Sequence, residues 1–291
     1  MAKNWIFSNY LLSYFLSFPH MKENLLKFVA GFKSAHIFKK VKKNIPPSVK
    51  RKGKLTQRYT ADLLRGNLGK FVKSPPLSPG HLKLFESQIT IRQIIPNNSS
   101  LENKKHNLAT AIACFENIPI HPGQIFSFWH LVGEPSQQKG YLESRAIVNN
   151  QLKSEFGGGL CQIPGLLYVL ILKAGLNALE RHPHSQDIYT EETRFAPLGS
   201  DATVVYGYKD FRFQNTLSVP LCFRFTLLEE GIIAELCSPQ PLEEFSVDFK
   251  VEQLPGGIKQ VETLRYSQVT DSLEKITTTI YPTLDPDAAM L

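Results

Sequence analysis

The polar positions at the front of the chain recur at steps of four and five. Asn4, Ser8, Ser13 and Ser17 interrupt an otherwise aromatic and aliphatic run. That spacing predicts helix within residues 4–38, with a wide apolar face. A second amphipathic stretch places Leu25, Phe28, Val29 and Phe32 on one side and Lys22, Lys27 and Lys33 among the polar positions. Residues 39–54 hold Pro46-Pro47 and eight basic residues, and read as a linker. The breaker Ser74-Pro75-Pro76-Leu77-Ser78-Pro79-Gly80 closes this front region.

Beyond it the periodicities change. A compact domain is expected from about Leu82. Ile89–Ile95 alternates weakly and reads as a strand. Leu108, Ala111, Ile112 and Phe115 fall at helical spacing within 107–117. Pro122-Gly123 is a turn before a short strand, 124–128. Asn149-Asn150 marks a hairpin in 146–151. The apolar run Leu166–Leu172 reads as a buried helix. Leu176–Arg181, Ala202–Tyr206 and Phe211–Phe213 are strand candidates, 219–227 with 232–236 reads as a hairpin, and 275–281 is β-type. Helices and strands mix without a βαβ rhythm. The fold class expected is therefore α+β, a mostly antiparallel sheet with a buried helix and a basic, partly helical region ahead of it. Three regions are expected: 1–81, 82–240 and a C-terminal β-type extension, 241–291.

Composition narrows the class. Of the 291 residues, 42% are hydrophobic and 20% charged, which excludes a wholly disordered chain. No apolar run approaches the roughly 20 residues of a spanning helix. Trp5–Phe18 is followed by Pro19-His20-Met21-Lys22, with no small-residue cleavage site, so no export signal is expected. The expected location is cytoplasmic or membrane-peripheral, with a divergent uncleaved anchor as the alternative. Charge is uneven. Residues 1–86 carry 17 Lys+Arg against 3 Asp+Glu, a net +14, while 87–291 carry 16 against 23, a net −7. A basic head suggests an anionic partner, and its amphipathic pattern favours a membrane surface over nucleic acid. The plainer alternative is a solvated basic cap.

The candidate chemistry sits at Phe156-Gly157-Gly158-Gly159-Leu160-Cys161-Gln162, followed by Arg181-His182-Pro183-His184. Pro164 suits the start of the helix and Gly175 its end. A helix of about twelve residues rises about 18 Å. A strand returning from Asn177 covers about 17 Å to His182 and about 23 Å to His184. Both histidines therefore reach the level of Cys161, and His184 is the better placed. A thiol at a helix N-terminus with an imidazole in reach is an activated nucleophile. In that reading Asp201 holds the imidazole. The glycine turn 157–159, Gln162 and Arg181 face the substrate. Two other readings stay open: a structural role, or a metal bound by Cys161, His182 and His184, for which no fourth ligand is evident. No cofactor is expected. Cys222 and Cys237 flank a turn and face each other in one hairpin register, as buried thiols or as a disulfide.

The chain resembles the VanW family, in its stand-alone form. The resemblance rests on Pro122-Gly-Gln-Ile-Phe126-Ser-Phe128-Trp129, Gly157-Gly-Gly-Leu-Cys161-Gln162, Gly175-Leu, Glu180-Arg-His-Pro-His184-Ser185, Asp201-Ala-Thr-Val and Asp210-Phe-Arg-Phe-Gln-Asn215. It covers about residues 82–240. It implies a cell-envelope or glycopeptide-resistance context, with peptidoglycan or its precursor as partner. Some multidomain relatives are associated with L,D-transpeptidase activity through a cysteine acyl-enzyme. Where those relatives carry Ser-Ser-Thr, this chain has Pro164-Gly165-Leu166. The competing functions are a cysteine acyl transferase, a non-catalytic binding module and a membrane-surface accessory protein.

Overall fold

The computed structural model describes residues 46–95, 100–148, 151–185 and 196–282, with no side-chain account of 146–148 and 151–152. The helices expected over 4–38, most of the basic head and the Asn149-Asn150 turn lie outside the described residues. The chain divides into two compact units, 1–53 and 54–291. Of the first, only 46–53 are described, and they are helical from Pro47. Helix α1 spans Pro47–Leu64, so the expected linker is helical from Pro47 on. A proline fits a first helical turn, where its missing N–H has no partner to lose, and the long basic residues that follow propagate helix well.

The larger unit includes residues ahead of Leu82. Phe71 forms a parallel bridge with Ile125, and the Val72 amide donates to the Ile125 carbonyl at 3.1 Å. The fold is α+β. Its helices are α2 (Pro79–Leu82), α3 (Leu101–Ile112), α4 (Phe128–Val132) and α5 (Gln162–Lys173). Its strands are β1 (Glu86–Ile94), β2 (Ile125–Ser127), β3 (Glu143–Val148), β4 (Gln151–Phe156), β5 (Ala178–Glu180), β6 (Arg212–Gln214), β7 (Cys222–Leu227), β8 (Gly231–Ser238), β9 (Ser246–Gln253), β10 (Lys259–Ser267) and β11 (Ser272–Tyr281). They form antiparallel sheets in the orders β1-β8-β7, β2-β6-β5 and β11-β10-β9, plus the hairpin β3-β4.

Helix α5 is the centre of the core. Ile163, Leu167, Leu170, Ile171 and Leu172 are fully buried, as an all-apolar helix must be. It packs against β1 and β8. Beside it Phe126 meets Phe115 edge-on at 5.6 Å and stacks on Phe213 at 5.3 Å, so β2, β6 and the residues after α3 share one aromatic cluster. The helix ends at Gly175, whose φ of +78° reverses the chain towards β5.

Two local expectations need correction. The helix expected over 107–117 starts earlier, at Leu101, and ends at Ile112. Residues 202–206 are not a strand. Val205 makes one isolated bridge to Lys209, and the Thr203 amide donates to the His182 carbonyl at 2.7 Å. Just ahead of the segment, the carbonyls of Gly199 and Asp201 accept from the Arg181 side chain. Cys222 and Cys237 are direct partners across β7 and β8, buried, with free thiols. Among the described residues, no helix is long and apolar enough to cross a membrane.

Candidate functional site

The turn before α5 explains its three glycines. Gly157 and Gly159 have φ of +77° and +90°, a region closed to most side chains. Gly158 lies so close to β3 that a β-carbon on it would stand 2.1 Å from the Ser144 carbonyl oxygen. Cys161 follows as the residue capping α5. The amides of Gln162 and Ile163 donate back to Gly159 and Leu160, at 3.2 and 3.1 Å. Pro164 has none, and Gly165 donates to Cys161. The helix head therefore offers its dipole to the sulfur, while those amides are already used within the turn.

Residues 178–184 run back along α5, and His184 arrives at Cys161. The His184 side chain is the group that most favours the Cys161 thiolate, and the sulfur lies 3.8 Å from the Val204 carbonyl oxygen. On the far side of the ring, Nδ1 of His184 stands 2.8 Å from Oδ2 of Asp201, which leaves Nε2 for the thiol. The same Asp201 oxygen accepts the His184 backbone amide at 2.6 Å. Imidazole and carboxylate are thus hydrogen-bonded, and the imidazole acts in turn on the thiol.

The electrostatics follow from that chain. Burial alone would raise the Cys161 thiol. The hydrogen bond and positive charge of His184 outweigh it and hold the thiol below its usual value. Burial likewise works against the His184 cation, but Asp201 and Cys161 together raise its pKa to about 10. Asp201 is held down at about 2 against its own burial, by His184 and by the Arg181 guanidinium. At neutral pH the imidazolium and the carboxylate are the stable forms, and the thiolate is favoured over that of an ordinary cysteine.

Arg181 and Tyr281 set Asp201 in place. Arg181 donates to the Asp201 carbonyl at 2.8 Å, to Asp201 Oδ1 at 3.2 Å, to the Gly199 carbonyl at 2.7 Å and to Thr279 Oγ1 at 2.9 Å. Its guanidinium also lies over the Tyr168 ring, 4.8 Å from the centroid. With its donors engaged inside the protein, Arg181 positions the carboxylate and does not face outward. The Tyr281 hydroxyl donates to Asp201 Oδ1. The Gln162 amide turns towards β1, donating to Gln93 Oε1 at 2.8 Å and to the Ile94 carbonyl at 3.1 Å.

His182 lies elsewhere. Its Nε2 is 3.0 Å from Glu180 Oε1, in a second cluster. There Arg58 reaches Glu180 at 2.6 Å, Arg212 grips Asp62 at 2.9 and 3.0 Å, and Asp210 accepts from Arg212 at 2.7 Å. Burial would raise Glu180, but His182, Arg58 and the Asp210 amide hold it at about 2. Among the described residues, no group of three or more His, Cys, Asp and Glu side chains is placed to hold a metal ion.

Three contributors to the site carried no local sequence signal: Tyr281, the Val204 carbonyl and Lys104. Lys104 comes from α3. Burial lowers it to about 8, with the Cys161 charge opposing the drop.

The geometry defines an α+β protein with a Cys–His–Asp chain at the head of a buried helix. Residues 103–237 match the family model described as VanW like protein, a span that contains Cys161, His184, Asp201, Arg181 and Lys104 but not Tyr281. Over that span the chain is similar to the VanW family. It is 30% identical over 174 residues to "Vancomycin B-type resistance protein VanW" of Enterococcus faecalis (strain ATCC 700802 / V583), covering 58% of this chain and 62% of that protein. It is 35% identical over 127 residues to "Uncharacterized protein YoaR" of Bacillus subtilis (strain 168), covering 44% of this chain and 40% of that one. The chain therefore spans less than two thirds of either relative. No solved structure matches it.

Proposed function

We propose that this protein is a cysteine acyl transferase acting on peptidoglycan stem peptides or their precursors, in the setting of vancomycin resistance. The observation that carries the reading is the array Cys161, His184 and Asp201, in which the carboxylate holds the imidazole at 2.8 Å and the imidazole favours the thiolate. The match of residues 103–237 to the VanW like protein model and the name of the Enterococcus relative support the setting.

The chemistry balances in two halves. The Cys161 thiolate attacks a peptide carbonyl and forms a carbon–sulfur bond. The tetrahedral intermediate collapses to a thioester as the leaving amine departs, taking the proton carried by His184 Nε2. An acceptor amine then attacks the thioester and gives its proton to the now neutral His184. The new amide leaves, and thiolate and imidazolium are restored. Asp201 stays ionised throughout and stabilises the imidazolium.

The test is intact-protein mass spectrometry after incubation with purified stem peptides, in wild type and Cys161→Ala. A mass gain equal to the acyl part of the donor, absent from the variant, is the expected result. Binding of stem peptides with no adduct and no transferred product, from a protein whose Cys161 still alkylates readily, would make this a binding module instead.

A further inference from the structure

Helix α1 is built inside out. Among its described residues, only Asp62 is buried. That carboxylate accepts from Arg212 at 2.9 and 3.0 Å. Arg58, one turn earlier, reaches Glu180 at 2.6 Å and the Tyr208 carbonyl at 3.2 Å. The charged positions therefore face the domain. The other side carries the apolar ones: Tyr59 is 51% exposed, Leu63 62% and Leu64 82%. Tyr59 and Leu63 are four apart and so are neighbours on that side. A helix lying on its own domain in water shows the reverse, with its apolar stripe inward. A single exposed leucine needs no explanation, but a reversed helix does. Rolling the leucines inward would part Asp62 from Arg212 and Arg58 from Glu180, leaving largely buried charges unpaired.

Basic residues flank this apolar end. Lys54, Arg65, Lys70 and Lys73 are exposed. Asp62, already paired, is the one acid in residues 54–85. Residues 87–291, by contrast, carry a net −7. The turn after α1 is fixed to the domain. The Asn67 amide donates to the Asp62 carbonyl and the Ile125 amide to the Lys70 carbonyl, both at 2.8 Å.

We propose that residues 59–73 form a contact surface for an anionic lipid bilayer. Leu63 and Leu64 enter the headgroup boundary, and Arg65, Lys70 and Lys73 meet the lipid phosphates and carboxylates. Nucleic acid has the same charge, but sequence-tolerant binding to it relies on aromatic platforms for the bases. Here the most exposed apolar side chains are aliphatic, which favours the bilayer.

The test uses the full-length chain and vesicles containing phosphatidylserine, with phosphatidylcholine vesicles as the neutral reference. Residues 1–53 are basic as well, so the place of contact is read beside the affinity. Backbone hydrogen exchange within 59–73 should slow when anionic vesicles are added. The double variant Leu63→Ser, Leu64→Ser should bind them about tenfold or more weakly, because each leucine has over half its surface free to bury. Its melting temperature should stay in place. Leu273→Ser removes a leucine of similar exposure, 67%, at the start of β11, and should leave binding unchanged. Arg65→Gln and Lys70→Gln should each weaken binding about fivefold at low salt, and less as salt is added. Vesicle binding without slowed exchange in 59–73, or a leucine double variant that binds like wild type, would overturn the proposal. So would slowed exchange in 59–73 with an oligonucleotide and none with vesicles, which would give the surface to nucleic acid. Cys161→Ala should bind vesicles like wild type, so this surface stands or falls apart from the thiol chemistry.

Discussion

Replacing Asp201 with asparagine tests the centre of the site, because one carboxylate serves both stability and reactivity. Its pKa is held at about 2 against an ordinary 3.8. A group whose pKa is depressed on folding stabilises the native state above its unfolded value and loses that effect as pH falls through the folded one. The difference corresponds to about 2.5 kcal/mol at pH 7, falling to about half by about pH 3. The side chain is 23% exposed, so solvent screens only part of this. Asparagine keeps the shape but turns an amide donor towards the donors of His184, Arg181 or Tyr281. For a unit of this size the loss is a melting temperature lower by about 5–10 °C. His184 also loses the partner that holds its proton, so the Cys161 thiol loses its cation. Urea unfolding at pH 7 and pH 3 gives the first quantity, and iodoacetamide rates at Cys161 between pH 5 and 9 give the second. The expected result is a stability gap that narrows in acid, with a loss of reactivity below pH 7. A variant equal to wild type in both would refute the ionised chain. A stability loss with unchanged low-pH reactivity would reduce Asp201 to a structural partner of Arg181.

His184→Ala should slow Cys161 alkylation at pH 6 on the order of tenfold or more, whereas His182→Ala should leave it and cost about 1 kcal/mol through the Glu180 cluster; reversed effects would exchange their roles. Gly158→Ala places a methyl group against the Ser144 carbonyl and should cost about 1–3 kcal/mol, read by thermal melts, while also disordering the Cys161 profile; a silent substitution would mean that β3 yields freely.

What the sequence made legible follows a physical pattern. Helix α5 was readable because proline, a continuous apolar run and Gly175 are all local signals of helix start, burial and stop. The β7–β8 pairing was readable because a short turn fixes register. That placed Cys222 opposite Cys237. The segment 202–206 looked like a strand because Thr203, Val204 and Val205 are three β-branched residues in a row. Its backbone instead makes single bonds, Thr203 to the His182 carbonyl and Val205 to Lys209, which no local pattern announces. The start of α1 was hidden by Pro46-Pro47, which looks like a breaker unless the second proline opens a helix. In each miss a distant or end-specific interaction overrode a local preference.

The site divides in the same way. Cys161, His182 and His184 lie on one helix and the segment returning along it, so their relative height could be worked out from rise per residue alone. Asp201 falls in the next segment and pairs with His184 across 17 positions. Lys104 and Tyr281 come from α3 and β11, on opposite sides of that segment in sequence, and nothing local marks either. Their separation is physically informative. A histidine raised to about 10 beside a carboxylate held at about 2 needs its partners fixed before the ions form, since each ion buried alone would be costly. The nucleophile and its base can be supplied by one supersecondary unit. The groups that hold the pair ionised must arrive from elements already packed around it. Arg181, Thr279 and Tyr281 tie Asp201 to the last strand, so β11 should be required for thiol reactivity although it lies outside the span that defines the family. Tyr281→Phe isolates that requirement. It removes one donor from Asp201 without opening a cavity, and should lower the low-pH reactivity of Cys161 in the same direction as Asp201→Asn, by less. Equal reactivity in Tyr281→Phe and wild type would confine the working site to the residues between Lys104 and Asp201.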